Sequence, residues 1–128
     1  MRFYNDSKAT NTSAAATALS AFDGNIILLA GGFDKGICYD ELRVFDKKVK
    51  RCIAYGAIKE QFLSVFTNVD IVNDMKEAFE RAVEIASTGD VILLAPGTSS
   101  YDQFPNYEVR GRVFKEYVSN YLLKHHTM

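Results

Sequence analysis

The feature that most constrains the fold is the alternation of short apolar runs with segments of helical periodicity. Residues 26–30 (IILLA) form a continuous apolar run between glycines. Residues 52–55 and 91–95 repeat the pattern, and residues 69–72 repeat it apart from Asp70. Continuous apolar runs of this length are typical of parallel strands covered on both faces. The pattern therefore predicts four strands, and residues 1–4 have the composition of one more short strand.

Between these runs, apolar residues recur at intervals of three and four, as on one face of a helix. The predicted helices cover residues 11–22, 42–49, 58–66, 75–86 and 113–122. Asp74 followed by Glu77 predicts a capped start for the fourth helix, and Gly89 predicts its end. Asn11 or Thr12 is the predicted cap of the first, alanine-rich helix.

Strands that alternate with helices predict right-handed βαβ units. The expected fold is therefore α/β, a Rossmann-like doubly wound and mostly parallel sheet with helices on both faces. The chain has 128 residues, which predicts a single domain over residues 1–128. If the strands at 26–30 and 91–95 lie side by side at the point where the strand order reverses, ligands bind beyond their carboxyl ends. The loops to examine are then residues 31–36 and 96–106.

Charge and composition exclude several classes of protein. Fifteen basic and sixteen acidic residues give a net charge of −1, which argues against a nucleic acid or an anionic membrane as partner. No apolar run approaches the roughly 20 residues of a membrane helix, and no signal sequence opens the chain, so a cytoplasmic protein is expected. Cys38 and Cys52 fit no metal or disulfide pattern and are predicted to be reduced and buried.

The candidate binding residues lie in three polar segments. Lys35 follows the glycines of the 31–36 loop, where a point charge could meet a carboxylate or phosphate. Residues 96–104 combine three hydroxyls with a carboxylate, an amide and two aromatic rings. Residues 5–11 place an acid, a lysine and hydroxyls before a predicted helix start, where backbone amides favour anions.

Other polar clusters give weaker signals. No histidine lies near Ser100 in sequence, which disfavours a Ser-His-Asp hydrolase. His125 and His126 are adjacent and lack the i, i+4 spacing of a helical metal pair, so no metal site is predicted. The basic residues at 47, 48, 50 and 51 are explained by a solvated helix end.

Three motifs acquire meaning in combination: NDSKATN at residues 5–11, GGFDKG at 31–36, and the pattern DQFxxxExRG at 102–111. Together they resemble the carboxy-terminal domain of the Mur ligases, and within that family the branch that adds D-glutamate in peptidoglycan synthesis. The resemblance covers nearly the whole chain in register. The diaminopimelate- and lysine-adding branches use an Asp-Asn-Pro-Arg loop that is absent from this sequence, which favours glutamate.

The resemblance implies roles for individual residues. Lys35 matches the lysine that pairs with a glutamate carboxylate, and Thr10 and Ser100 match hydroxyl residues that hydrogen-bond the same ligand. Tyr107 falls where the family usually has phenylalanine. Asp6 and Lys8 match two nucleotide-facing residues, one near the ribose and one near the terminal phosphate. The sequence departs from the family at residues 97–99. It also departs at Tyr101, a position at which the family has leucine or tryptophan.

The resemblance also implies what lies outside these residues. The family uses ATP and magnesium, an ATP-binding central domain and a UDP-binding amino-terminal domain, and none of the corresponding motifs occurs here. We therefore expect an excised third domain that holds no cofactor alone, contains no catalytic residue and is inactive in isolation. The alternative is a free-standing Rossmann-like module that binds a nucleotide or a protein without catalysis.

Overall fold

The computed structural model describes residues 1–100 and 103–126. Within these ranges the strands are β1 (Arg2–Asn5), β2 (Ile26–Gly31), β3 (Val49–Tyr55), β4 (Val69–Ile71) and β5 (Val91–Leu94). The α-helices of the same ranges are α1 (Thr12–Ser20), α2 (Met75–Ile85) and α3 (Tyr107–His126). Two 3₁₀ helices cover Asp40–Lys48 and Lys59–Ser64. The short strand expected at the start of the chain is confirmed as β1.

The sheet is parallel throughout, in the order β1-β5-β2-β3-β4. From β2 the chain runs outward through β3 to β4 and then crosses back to β5 on the other side of β2. Ile26 lies opposite Val91, and Leu29 lies opposite Leu94. The predicted doubly wound sheet is confirmed, and its switch point lies between β2 and β5.

Both faces of the sheet are covered, which explains the continuous apolar runs. Along β2, Leu28 and Ala30 pack in the cluster that holds α1 and both 3₁₀ helices. Ile27 and Leu29 point to the other face and pack in the cluster that holds α2 and α3. Because successive side chains of a strand alternate between faces, a strand buried on both sides needs apolar residues at every position.

The two predicted helix starts are confirmed by their caps. The Asn11 side chain accepts a hydrogen bond from the Ala14 N–H at 2.8 Å, and Asp74 accepts from the Glu77 N–H at 2.9 Å. The predicted end of α2 at Gly89 is wrong. The helix ends at Ile85, and Gly89 lies in the turn that leads into β5.

The segments at 42–49 and 58–66 form 3₁₀ helices, with i→i+3 bonds such as Leu42 N–H to Tyr39 C=O at 3.0 Å. Each buries few side chains, Leu42 in the first and Phe62 in the second. A tight turn can present one apolar anchor without a full α-helical stripe. Val49, predicted as the last residue of the helix at 42–49, is instead the first residue of β3.

The basic cluster does not form a single helix end, because Lys50 and Arg51 lie on β3. Lys50 pairs with Asp90 at 2.6 Å and Arg51 with Asp70 at 3.1 Å. Cys52 is buried as predicted, and burial raises the pKa of its thiol. Cys38 is exposed, so its predicted burial is wrong. In the described ranges, no helix is long and apolar enough to cross a bilayer.

Candidate functional site

Three loops meet at the carboxyl edge of the sheet. The loops after β2 and β5 are joined by bonds from Gly31 N–H to Pro96 C=O at 3.1 Å and from Phe33 N–H to Ser99 C=O at 3.0 Å. The loop after β1 joins them through Gly97 N–H, which donates to Ala9 C=O at 2.8 Å. The predicted neighbours at the switch point are therefore in contact, and the 5–11 segment is added to them.

A buried arginine fastens α3 to the loop after β1. Arg110 is fully buried, and its guanidinium donates from Nε to Ser7 Oγ at 2.9 Å and from Nη2 to Ser7 C=O at 2.7 Å. The Ser7 hydroxyl in turn donates to Tyr107 C=O at 2.6 Å. One serine thus fixes the first turn of α3 against the loop that carries Asp6 and Lys8.

A second contact keeps the same elements close. The Asn5 side chain donates to Gly111 C=O at 2.9 Å and accepts from Ser7 N–H at 3.2 Å. A Cβ at Gly111 would lie 3.1 Å from the Cβ of Ser7, so a larger residue there would require Ser7 to shift by a few tenths of an ångström. The helix itself starts at a cap, because Asn106 accepts from Val109 N–H at 2.8 Å.

Lys35 reaches from the loop after β2 to the loop after β1. Its ammonium donates to Thr10 C=O at 3.1 Å, while the residue itself is exposed. Asp34 accepts from Gly36 N–H at 2.9 Å, and this turn uses the left-handed φ of +73° at Gly36. An ammonium group carries three donors, so a lysine bonded to one carbonyl can still bind an anion.

A groove runs along the surface of this region. A cavity of about 520 Å³ is lined by Asp6, Lys8, Thr10 and Tyr107 together with residues of α1. This volume lies within the ~300–1,000 Å³ of small-molecule sites. An adjoining cavity of about 350 Å³ also contains Asp6, Lys8 and Tyr107. Four of the six residues singled out from the sequence therefore line one groove.

Ser100 differs from the other predicted site residues. It is buried, and its hydroxyl has no hydrogen-bond partner in the described part of the chain. Its carbonyl accepts from Gln103 N–H at 3.0 Å and from Phe104 N–H at 2.7 Å. Neither Ser100 nor Lys35 is among the residues that line the groove. Tyr101, the other noted position of this loop, lies outside the described residues.

The loop after β2 is also fixed by a buried tyrosine at its end. Tyr39 is buried, and its hydroxyl donates to Gly97 C=O at 3.3 Å. Burial raises the pKa of this phenol to about 12, so it remains a neutral donor at physiological pH. Among the described residues, no group of three side chains could hold a metal ion.

Sequence reasoning missed the residues that build the site. Asn5, Ser7, Arg110 and Gly111 lie inside two of the three motifs, NDSKATN and DQFxxxExRG, yet none was assigned a role. An arginine is rarely fully buried, so nothing in the helical pattern of α3 singles out Arg110. The signal available in the sequence was the presence of Ser7 in one motif and of Arg110 and Gly111 in the other.

Comparison with known proteins gives concordant results. A family model described as Mur ligase, glutamate ligase domain, matches residues 1–98. The crystal structure of a domain from a UDP-N-acetylmuramate:L-alanyl-γ-D-glutamyl-meso-diaminopimelate ligase of Haemophilus ducreyi superposes with a TM-score of 0.51 at 16% identity. The superposition covers 69% of this chain and 73% of that one. At that identity it supports the fold alone.

Two relatives are named UDP-N-acetylmuramoylalanine--D-glutamate ligase. The protein of Caldicellulosiruptor bescii is 45% identical over 128 positions, which cover 95% of this chain and 28% of the relative. That of Bacillus subtilis is 42% identical over 118 positions, which cover 88% of this chain and 26% of the relative. The chain thus spans little more than a quarter of the length of these relatives. Since the family model matches most of its residues, the chain belongs to the Mur ligase family as a glutamate ligase domain.

Proposed function

We propose that this chain is the third domain of an ATP-dependent ligase that adds D-glutamate to UDP-N-acetylmuramoyl-L-alanine. The observation that carries the proposal is the meeting of Lys35 with Thr10 beside the groove lined by Asp6, Lys8 and Tyr107. The relatives named for this reaction match 95% and 88% of the chain.

The charges of the site suit a dicarboxylic amino acid. The ammonium of Lys35 supplies a cation for one carboxylate, and the hydroxyl of Thr10 lies on the residue whose carbonyl Lys35 contacts. The N-terminus of α1 follows directly, and its N–H groups favour negative charge. Ser100 would supply a further hydroxyl if the loop after β5 moves on ligand binding, because its Oγ is buried and unpartnered within the described residues. Tyr107 would form the wall of the groove.

The same groove suits a nucleotide at its other end. Lys8 presents an exposed point charge of the kind that meets a phosphate, and the carboxylate of Asp6 can accept from ribose hydroxyls. Both side chains line the two adjoining cavities. We assign ATP and magnesium to a central domain of the same enzyme and the UDP group to an amino-terminal domain. The use of ATP would place the reaction in the cytoplasm.

In the proposed reaction, the carboxylate of the UDP-linked substrate is phosphorylated at the expense of ATP. The amine of D-glutamate then attacks the acyl phosphate, the amide bond forms and inorganic phosphate leaves. The role of this domain is to hold the amino acid with its amine near the acyl carbon, which lowers the entropic cost of the attack. Closure against the other domains would exclude water from the acyl phosphate.

The isolated chain is expected to be inactive, because it would offer D-glutamate only one wall of a closed site. Phosphate release from ATP by the pure chain in the presence of D-glutamate would contradict this. Alone, the chain is expected to bind D-glutamate with a dissociation constant on the order of 1 mM.

A chimera tests the function directly. The chain replaces the matched quarter of the Bacillus subtilis ligase, and phosphate release is followed with ATP and the UDP-linked acceptor. We expect release that depends on D-glutamate and does not occur with L-glutamate. A matched chimera carrying Lys35→Gln should lose this activity, whereas Lys59→Gln should retain it. Lys59 also contacts a loop carbonyl, that of Gly56. A folded chimera that is inactive with D-glutamate would favour the alternative, a binding module without catalysis.

A further inference from the structure

The segment that carries Lys35 is fastened at both ends to a single short stretch of the loop after β5. We name residues 33–39 the lysine loop. At its start, Phe33 N–H donates to Ser99 C=O at 3.0 Å, and Thr98 Oγ1 donates to Phe33 C=O at 2.7 Å. At its end, the Tyr39 hydroxyl donates to Gly97 C=O at 3.3 Å. Residues 97–99 thus fix both termini of the lysine loop.

Thr98 supplies the bond that the sheet no longer provides. Strand β2 ends at Gly31, so the carbonyl of Phe33 lies beyond the ladder, where it accepts a hydrogen bond from the Thr98 hydroxyl. Thr98 is completely buried. Loss of the Thr98 hydroxyl would remove this hydrogen bond from the start of the lysine loop.

Gly32 keeps the two loops at this short distance. Its φ is +135°, and a Cβ there would lie 2.5 Å from Ser99 O and 3.1 Å from Thr98 Cγ2. The backbones approach too closely for an inserted side chain. The contact between Thr98 and Phe33 is therefore direct, and a change at Thr98 is transmitted to the lysine loop.

Lys35 follows Phe33 by two residues and is itself exposed, so its own packing does little to fix it. A free lysine side chain has large rotamer entropy, and its placement depends on where the backbone holds its Cα. We infer that Thr98 is a positioning residue, which orients the lysine loop so that Lys35 meets the carboxylate of the amino-acid substrate. This inference rests on the proposed function for the identity of the ligand. The effect of Thr98 on the ordering of the lysine loop does not depend on the proposed function.

The test compares Thr98→Val with Thr98→Ser in the full 128-residue chain. Valine keeps the volume and removes the hydroxyl, while serine keeps the hydroxyl. Thr67→Val is the control, because its hydroxyl also donates a hydrogen bond, to the carboxylate of Asp46, outside the lysine loop. Amide hydrogen exchange of residues 33–36 and the dissociation constant for D-glutamate, from NMR titration, are measured for each variant.

In Thr98→Val, exchange at residues 33–36 should be about tenfold faster and D-glutamate binding about tenfold weaker, the factor expected for one lost hydrogen bond. Thr98→Ser should stay within about twofold of the wild type, as should both readouts in Thr67→Val. Unchanged exchange in Thr98→Val, or equal changes in Thr67→Val, would overturn the inference. If Thr98→Val does not fold, Thr98→Cys, a weaker donor of similar volume, takes its place against Thr98→Ser under the same criteria. A wild-type chain that does not bind D-glutamate would contradict the proposed function, and the exchange data would still decide the role of Thr98.

Discussion

The two ends of the sheet are built on different principles. At the amino end, Asp90 lies in the short turn that precedes β5. Its carboxylate accepts from Lys50 at 2.6 Å and from Ser87 N–H at 2.8 Å. At the carboxyl end, Arg110 bonds Ser7 across 103 positions of sequence, and three loops share their backbone bonds. Among the described residues, the buried hydroxyls of Ser99 and Ser100 there have no hydrogen-bond partner.

The difference indicates where stability and function lie. Buried polar groups are normally paired, so unpartnered hydroxyls represent a free-energy cost that a ligand can offset. At the amino end, the Asp90 carboxylate is satisfied both by a local bond from Ser87 and by Lys50, which connects β3 to the turn before β5. The carboxyl end has long-range contacts that fix loops around a groove. Substitutions at the two ends should therefore separate effects on folding from effects on binding.

The largest expected effect on stability is that of Gly31→Ala at the carboxyl end. Its φ is +144°, and a Cβ would overlap the carbonyl of Tyr55 on the neighbouring strand. We expect a loss of more than about 3 kcal/mol in the free energy of unfolding, measured by urea denaturation. Gly89→Ala is the matched control at the amino end. Its φ is +92° but no atom lies within 4 Å of the added Cβ, so only the backbone strain of about 1–2 kcal/mol applies. Equal losses in the two variants would contradict the close approach at Gly31.

Ser7→Ala comes next, because it removes the group that joins Arg110 to the first turn of α3. One hydrogen bond to a charged donor and one to Tyr107 C=O are lost, and we expect destabilisation by about 2 kcal/mol. The Tyr107 amide resonance should shift as the turn loosens. Ser20→Ala removes an exposed hydroxyl that donates to Thr17 C=O and should cost less than about 0.5 kcal/mol. A Ser7→Ala variant as stable as Ser20→Ala would contradict the role of Ser7 in joining Arg110 to the first turn of α3.

Asp90→Asn tests the amino end and should cost about 1 kcal/mol at neutral pH, since Lys50 is only partly shielded from solvent. Burial alone would raise the pKa of Asp90, but the hydrogen bonds and charge of Lys50 and the Ser87 N–H outweigh it and lower the pKa. A lowered folded-state pKa gives stability that is present at higher pH and lost as the carboxylate protonates. The difference between wild type and variant should therefore shrink below about pH 4. A difference that grows on acidification would contradict the assigned direction.

Lys35→Gln should have the smallest effect on stability, less than about 0.5 kcal/mol, because the side chain is exposed. Its effect on ligand binding should be large. D-glutamate should no longer perturb the spectrum of the variant at concentrations that perturb the wild type. Retained D-glutamate binding in a folded Lys35→Gln variant would remove Lys35 from the site.

The sequence allowed most of the sheet to be predicted, because apolar runs at 26–30 and 91–95 report burial on both faces directly. It also indicated Asn11 and Asp74 as caps, since capping depends on local side-chain chemistry. The 3₁₀ helices were not predicted, because a single anchor such as Phe62 produces the same apolar spacing as a short α-helix.

The site could be predicted only in part. Lys35 and the groove residues follow strand ends, so topology brings them together once the sheet is known. The bonds of Thr98 and Arg110 could not be found in this way, because their partners are carbonyls or hydroxyls of distant loops. The burial of Ser100 depends on how the loop after β5 packs, which no local pattern encodes.

The most direct test of the account is an amide shift map of the isotope-labelled chain titrated with D-glutamate, with L-glutamate in parallel. We expect perturbations confined to residues 6–11, 32–36 and 97–107, stronger for the D enantiomer, and none in the turn from Ser87 to Asp90. Equal responses to both enantiomers, or perturbations centred on the amino end of the sheet, would contradict the assignment of binding to the carboxyl end.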